Sequence, residues 1–473
     1  MPHLPPRTLD SLWFDFDARE DVLRSVVEER LDATPPPSVD DHVVATYFFA
    51  FRTQTLEHAV KEISYHATSG IKNPPAGSLL AACSARPAGV DAFDATGRIG
   101  LLHVAFPLKM MRHPDGHVTS TDLLHTTSAA IIFDVFENQD ARLLRLSIPA
   151  DVLSTFPGPA HGPFAMRERC GYTRDEPVFG TILKPTAGIT PTDVERLVGQ
   201  MADHPLLMFI KEDEDLYPDL DYSPVAERTR RAVEAIARTR DARGGKGILY
   251  APHVTAAPHE MLDHVHAVLD AGATGVMFSE TFAGGAVRMV REATKDRPVP
   301  PVIYGHNAGI GTRTRSIWRE VIDELARLDG IDFRQTAPLK DGAPFLRPYG
   351  AEWRASEHAL SRPLDGIRPT MIARAGGLDQ GNLLLNMVDA RRRGLTGNIL
   401  FLAGSAINAV KGPDGHADPR LGLESLTELI ALGRTGALDD VPVADHLAAL
   451  RDLARREGCT ALLETLRQRY PSS

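Results

Sequence analysis

The sequence predicts a mixed α/β chain in two parts: an N-terminal α+β domain of ferredoxin-like type over 1–150, and a C-terminal (β/α)8 TIM barrel over 151–473 that ends in helices. Three observations carry this. The 473 residues exceed what one ordinary core organises. After a Pro/Gly-rich stretch, FPGPAHGPF at 156–164, short apolar runs alternate eight times with segments long enough for a helix, the count of a closed barrel rather than an open doubly wound sheet. Polar or glycine residues collect at the C-terminal tip of each run, the face on which barrel enzymes build their sites.

In order, the first part offers DHVVATYFFAF as a strand and TLEHAVKEISYHAT as a helix by its spacing. IGLLHVAFPLKMM, TSAAIIFDVF and ARLLRLSIP read as further strands. Strands with an interspersed helix suggest an α+β sandwich. The stretch at 156–164 reads as the linker. The barrel runs are VFGTILK (178–184), LLMFIK (206–211), GILYAPHV (247–254), TGVMFSE (274–280), VPPVIYGH (299–306), IDFRQT (331–336), PTMIARAGG (369–377) and NILFLAGS (398–405). Their tips carry Lys184, Lys211 with four acids, His253, Glu280, His306, Arg334, the pair Gly376 and Gly377, and Gly404.

Composition narrows the partners. Hydrophobic residues make up 43% and charged residues 24%, an ordinary globular balance. A net charge of −10 without a basic block suggests neither nucleic acid nor an anionic membrane as partner. No apolar stretch approaches the ~18 residues of a membrane span, and the N-terminal MPHLPPRTLDSLWFDFD has neither a basic start nor an apolar core. A cytoplasmic protein is expected. Three widely spaced cysteines, Cys83, Cys170 and Cys459, fit free thiols rather than a disulfide frame.

The second run drives Leu206–Ile210 straight into Lys211, Glu212, Asp213, Glu214 and Asp215. Residues two apart on a strand share a face, so Lys211 and Asp213 converge if the strand persists, and Glu214 joins them at the turn. Two carboxylates with open positions suit a hard ion such as Mg²⁺. A cationic lysine opposes such a site. Carbamylation by CO₂ inverts its charge and makes it an oxygen ligand. The competing reading is an acidic loop with a lysine salt bridge. Lys184, closing a strand before Pro185 in FGTILKPTAGIT, reads either as a base of lowered pKa or as a snorkelling surface lysine. His306 in VIYGHNAGIG sits among small residues that leave room for a ligand, or is structural. RAGGLD and LAGSAIN stand where barrels hold a phosphate on freed backbone N–H groups.

In the order GTILKPTAGIT, FIKEDED, YGHNAG, ARAGG and LAGS, with FPGPAHG as linker, the chain resembles the large subunit of ribulose bisphosphate carboxylase (RuBisCO) over nearly its whole length. The resemblance implies that Lys211 is carbamylated and binds Mg²⁺ with Asp213 and Glu214. It implies that Lys184 takes part in proton abstraction, that His306 contacts substrate, and that Lys340 is the lysine of the loop after strand six. It also implies a homodimer with a shared site, to which Asp134 and the region of His66, Ile71 and Lys72 contribute from the neighbouring subunit. The departures matter as much. Thr186 stands where carboxylases have a second lysine, and Asn307 where an arginine grips one phosphate. Arg334 replaces the strand-six histidine, and Ala375 and Ala403 replace a serine and a glycine. This pattern is similar to the RuBisCO-like proteins of form IV, which are not carboxylases.

The resemblance therefore implies a lyase or isomerase that enolises a phosphorylated keto sugar or keto sugar acid. Gly376, Gly377 and Gly404 would hold its phosphate, and Arg334, Asn307 and Lys72 would stand near its other end. Decarboxylation or carboxyl transfer on a compound such as 3-oxoisoapionate 4-phosphate is preferred, because Arg334 and Lys72 add positive charge. The alternatives are an enolase or isomerase of methylthio-pentulose phosphates in methionine salvage, a non-catalytic metabolite-binding barrel, and a true carboxylase.

Overall fold

A computed structural model describes residues 22–33, 37–135, 138–340, 343–344 and 352–471. The chain divides into two compact units. One comprises Met1–Phe156, Gly311–Leu325 and Arg347–Ala359; the other comprises Pro157–Ile310, Ala326–Leu346 and Leu360–Ser473.

The first unit is built on a four-stranded antiparallel sheet of β1 (His42–Phe51), β2 (Arg86–Ala92), β3 (Ile99–Pro107) and β4 (Asn138–Ser147), in the order β2-β3-β1-β4. Helices Leu56–His66 and Ser120–Asp134 connect the strands in the β-α-β-β-α-β sequence of a ferredoxin-like fold. β1 is central and buried along nearly its whole length. Two expectations need correcting. Residues 127–134 of the segment TSAAIIFDVF belong to helix Ser120–Asp134, not to a strand. Thr119 and Asp122 form a reciprocal capping box at its start, and Leu123, Thr127 and Ile131 are buried four residues apart. The β-branched run invited a strand reading, but cap and spacing decide for the helix. Strand β2, with its Pro and Gly, gave no such signal.

Three further segments complete this unit. Residue Leu143 of β4 bridges Ile317 in parallel. Beside it, Arg24 pairs with Glu28 at 2.8 Å and with Glu320 at 2.6 Å, its guanidinium lying 4.2 Å from the Trp318 ring centroid. Burial pushes the nearby Glu352 carboxyl up to about 7, with Arg24 opposing and Glu320 reinforcing the shift. Since the folded value exceeds the ordinary 4.5, folding favours the protonated acid. Its stabilisation is intact below pH 4.5 and is lost as pH rises through 7. The loss is about 3 kcal/mol in all. Glu352→Gln should therefore gain about that much stability over the parent at pH 8 and nothing at pH 4. Denaturant unfolding at the two pH values checks this, and a pH-independent difference would exclude Glu352 as the cause.

The second unit contains the barrel. Its strands are Val178–Ile182, Leu207–Lys211, Leu249–Ala251, Gly275–Ser279, Val302–His306, Phe333–Thr336, Met371–Ala375 and Ile399–Leu402, each inside one of the eight runs read from the sequence. Every neighbouring pair from strand four through strand eight to strand three is parallel. A parallel bridge from His253 to Met277 closes the ring between strands three and four. Helices Pro191–Ala202, Val225–Arg238, Pro258–Asp270 and Ala286–Ala293 follow the first four strands. The first of these starts at the Thr190–Asp193 capping box with Pro191 in its opening turn. It buries Val194, Leu197, Val198 and Met201 as one stripe.

Two side-chain layers follow from strand alternation. Phe209, Tyr304, Phe333, Ala373 and Leu402 pack with one another inside the ring. Ile210, Ile372 and Phe401 face the helices in one outer cluster, and Ile303 and Phe278 in another. Gly180 is required by the inner packing: a Cβ there would lie 2.7 Å from Leu402 Cδ1 and 2.9 Å from the Phe209 carbonyl oxygen.

Candidate active site

Alternation decides which tip residues enter the barrel mouth. Counting from Phe209, Tyr304 and Ile182, the side chains of Lys211, His306 and Lys184 point inward. Asp213 and Glu214 follow as the chain turns. The Lys211 side chain is fully buried and Asp213 is 2% exposed. Lys211 Nζ donates to the Glu212 carbonyl at 3.0 Å, lies 3.6 Å from Glu214 Oε2, and stands 5.7 Å from the Tyr304 ring centroid. Lys184 forms an ion pair with Asp213. His306 Nε2 lies 3.2 Å from Glu214 Oε2. Its Nδ1 accepts from the Ala308 N–H at 3.1 Å, which fixes the tautomer with the proton on Nε2, facing Glu214.

The electrostatics follow from this packing. Burial holds the Lys211 pKa below the ordinary lysine value, against the charges of Glu214 and Asp213. Burial also lowers that of His306, assisted by the charge of Lys211. Burial would raise Glu214, yet the hydrogen bond and charge of His306 and the charge of Lys211 hold it well below the usual carboxylate range. The cluster interleaves the lysine and histidine nitrogens with two carboxylates at the barrel mouth.

Glu212, the first acid of the run, points the other way. It receives Arg228 Nε and Nη2 at 2.9 Å each, the Tyr250 hydroxyl at 2.9 Å and the His253 N–H at 3.0 Å. Glu212 and Arg228 are both fully buried. This pairing anchors the end of strand two to strand three and so fixes where Lys211 and Asp213 emerge. His253, whose ring bonds the Leu216 carbonyl and the Thr255 hydroxyl, is pushed down to about 4 by burial.

The other residues named from the sequence fall in several places. Gly376 and Gly377 have φ of 87° and 96°, a left-handed pair that glycine adopts without strain, and Gly404 precedes the short helix Ser405–Asn408. Asn408 Nδ2 donates to the Ile182 and Gly404 carbonyls at 3.0 and 3.1 Å, tying strand eight to strand one. Asn307 accepts from Gln335 Nε2 at 2.7 Å, and Gln335 Oε1 accepts from the Tyr304 hydroxyl at 2.8 Å.

Arg334 is not brought to this group. It lies outward of Phe333, fully buried, with Nη2 2.7 Å from Glu280 Oε1. The inward residue of strand six is Gln335, which sequence reading missed; counting by twos from Phe333 finds it. Arg334→Met should leave Glu280 buried without its partner and cost about 3 kcal/mol, read as a lowered melting temperature. Normal melting with lost ligand binding would instead place Arg334 in the mouth. Lys72, in the first unit, pairs with Glu62 at 2.8 Å and stands 4.8 Å from the Tyr65 ring centroid. Lys340 follows Leu339 in a two-residue strand, and Asp134 ends a helix; the side chains of both lie outside the described residues.

Mg²⁺ can be tested against this donor set. Among the described residues no three His, Cys, Asp or Glu side chains come together to hold a metal. Asp213 and Glu214 supply two carboxylates, and Lys211 Nζ, 3.6 Å from Glu214 Oε2, is the side chain from which a further protein oxygen would come. A carbamate there provides an anionic oxygen where the structure has an amine. With that change the residues fit a hard divalent ion.

A parallel eight-stranded barrel with its buried ionic cluster at the C-terminal rim defines a (β/α)8 protein with a preformed polar site. Residues 165–342 match the family model of the ribulose bisphosphate carboxylase large chain, catalytic domain. Over those residues the chain is similar to the RuBisCO large chain. It is 29% identical over 281 residues to an uncharacterised ribulose bisphosphate carboxylase-like protein of Bordetella bronchiseptica, an alignment that covers 58% of this chain and 63% of that one. It is 26% identical over 357 residues to the 3-oxo-isoapionate-4-phosphate decarboxylase of Rhizobium rhizogenes, covering 74% and 78%. The fold matches the crystal structure of a rubisco-like protein (MtnW) from Alicyclobacillus acidocaldarius with a TM-score of 0.73 at 22% identity, covering 91% and 100%. No helix among the described residues is long and apolar enough to cross a membrane.

Proposed function

We propose that this chain is a Mg²⁺-dependent RuBisCO-like lyase that forms an enolate from a phosphorylated keto sugar acid and does not carboxylate ribulose bisphosphate. The observation that carries this is the buried Lys211 beside Glu214, with Lys184 on Asp213 and His306 on Glu214. Carbamylated Lys211, Asp213 and Glu214 would hold the ion, which when bound supplies Lewis-acid polarisation of adjacent keto and hydroxyl oxygens.

The chain's own residues supply the rest. Lys184 is paired with Asp213. In decarboxylation the C–C bond electrons pass toward the keto oxygen as CO₂ leaves, and Lys184 Nζ returns a proton to the resulting carbon. His306 presents Nε2–H toward the reacting oxygens. Gly376, Gly377 and Gly404 offer backbone N–H groups for one phosphate. Asn307 and Gln335 place neutral amides where a carboxylase needs a cation for its second phosphate. The decarboxylase of R. rhizogenes supports the same substrate class. The working form is a cytoplasmic homodimer, with Asp134 and the Lys72 region completing the partner's site.

Assaying the purified protein with a branched 3-keto sugar-acid phosphate, a methylthio-pentulose phosphate and ribulose bisphosphate, each with Mg²⁺ and bicarbonate, tests the reading. Release of CO₂ from the first alone is expected. Turnover of the methylthio compound alone would replace the lyase with an enolase or isomerase, and fixation of labelled CO₂ would restore the carboxylase. Inactive Asp134 and Lys211 variants should partly rescue each other when mixed, as a shared site requires.

A further inference from the structure

We infer that Asn386, on the helix after strand seven, is the positioning residue for the chain that leaves strand six, and through it for Lys340. This rests on the site reading above, which is what gives Lys340 a role. Leu339 presents both backbone groups to one side chain: its N–H donates to Asn386 Oδ1 at 2.8 Å, and its carbonyl accepts from Asn386 Nδ2 at 2.9 Å. The contact is one rung of a β-ladder supplied by an amide. Lys340 is the next residue.

The amide itself is held from behind. Asn386 is fully buried, and its Nδ2 also donates to the Asn382 carbonyl at 2.9 Å. Arg374, fully buried on the outward face of strand seven, reaches the Asn386 carbonyl oxygen at 3.1 Å and Oδ1 at 3.4 Å. Its other nitrogen, Nη2, lies 2.5 Å from Asp389 Oδ2 on the same helix. Oδ1 therefore faces two donors and Nδ2 two acceptors, so the amide has one workable orientation. Aspartate lacks the donors and leucine lacks both functions. A buried Asn–Arg pair backed by the half-buried Asp389 is a large commitment for satisfying a single loop residue, and its effect is to fix Leu339 relative to strand seven. The position from which Lys340 departs is fixed with it. A site needs such support to hold a catalytic group within a fraction of an ångström.

The test uses the full chain and its Asn386→Asp and Asn386→Ala variants. Three quantities are read: amide hydrogen exchange at Leu339, acetylation of Lys340 by an N-hydroxysuccinimide ester followed by peptide mass spectrometry, and bicarbonate-dependent Mg²⁺ binding. Folded Asn386→Ala should exchange Leu339 at least tenfold faster, with Ala373 in strand seven unchanged, whereas Asn386→Asp keeps an acceptor for the Leu339 N–H and reads the loss of the two donations. The acetylation rate of Lys340 should change severalfold and Mg²⁺ binding should not change. With an active substrate, kcat/KM should fall at least tenfold. Unchanged exchange at Leu339 overturns the clamp. Faster exchange with unchanged labelling and turnover reduces it to a structural contact and overturns the positioning role. Should neither variant fold, exchange in the parent protein decides: a Leu339 amide as slow as Ala373 supports the clamp, and one as fast as a free loop overturns it. Exchange and labelling need no turnover, so an error in the assigned reaction stays separable from an error here.

Discussion

Replacing Lys211 with methionine should abolish bicarbonate-dependent Mg²⁺ binding and reduce turnover by about 10³-fold or more. Methionine fills much the same buried volume as the lysine stem but offers no nitrogen to CO₂ and no oxygen to a metal. Loss of the ion removes several kcal/mol of charge stabilisation, and each 1.36 kcal/mol is about tenfold in rate. The fold should survive, because exchanging a buried cation for an apolar side chain of similar size is often close to neutral. Calorimetric titration of Mg²⁺ with and without bicarbonate reads the first effect. Carbon-13 NMR with labelled bicarbonate reads the carbamate itself, as a signal present in the parent and missing in Lys211→Met. A variant that binds the ion as the parent does would remove Lys211 from the site and leave Asp213 and Glu214 as a pair of ordinary acids.

Arg228→Met should be the most destabilising single change in the barrel rim. Glu212 then keeps two neutral donors, Tyr250 and the His253 N–H, and loses the guanidinium that meets both its oxygens. An uncompensated buried carboxylate costs about 3–5 kcal/mol, on the order of 10 °C in melting temperature for a unit of this size. The double variant with Glu212→Leu should recover about half, since removing both charges leaves only neutral groups unpaired, the Tyr250 and His253 donors and the Leu216, Tyr217 and Ser223 carbonyls that Arg228 meets. A double variant no more stable than Arg228→Met would show that the guanidinium works through its carbonyl contacts, not through the charge pair.

Much of this architecture was legible in the residues. The eight apolar runs gave all eight barrel strands because a buried parallel strand needs a continuous hydrophobic stretch with polar ends. The helix Ser120–Asp134 was misread because Ile, Phe and Val suit either element, and only the Thr119–Asp122 cap separates them. At the site, Lys211 and Asp213 were found by strand spacing, and Glu214 by its place at the turn. Arg334 was assigned to the mouth by its place at a strand end, although the side chain one position later faces inward. Asn386 and Arg228 were not legible: each lies on a helix and meets its partner across the barrel wall, a juxtaposition that no local pattern encodes.

The Arg334–Glu280 pair has a further consequence, for descent rather than for chemistry. Strands four and six are not neighbours in the ring, and the link between them runs past Gly305, where an added Cβ would lie 3.1 Å from the guanidinium. Three positions on three successive strands therefore constrain one another. Related genes that carry a neutral residue at position 334 should have lost the acid at 280 as well, while glycine at 305 should persist wherever Ile331 does, since an added Cβ would also lie 2.1 Å from Ile331 Cδ1.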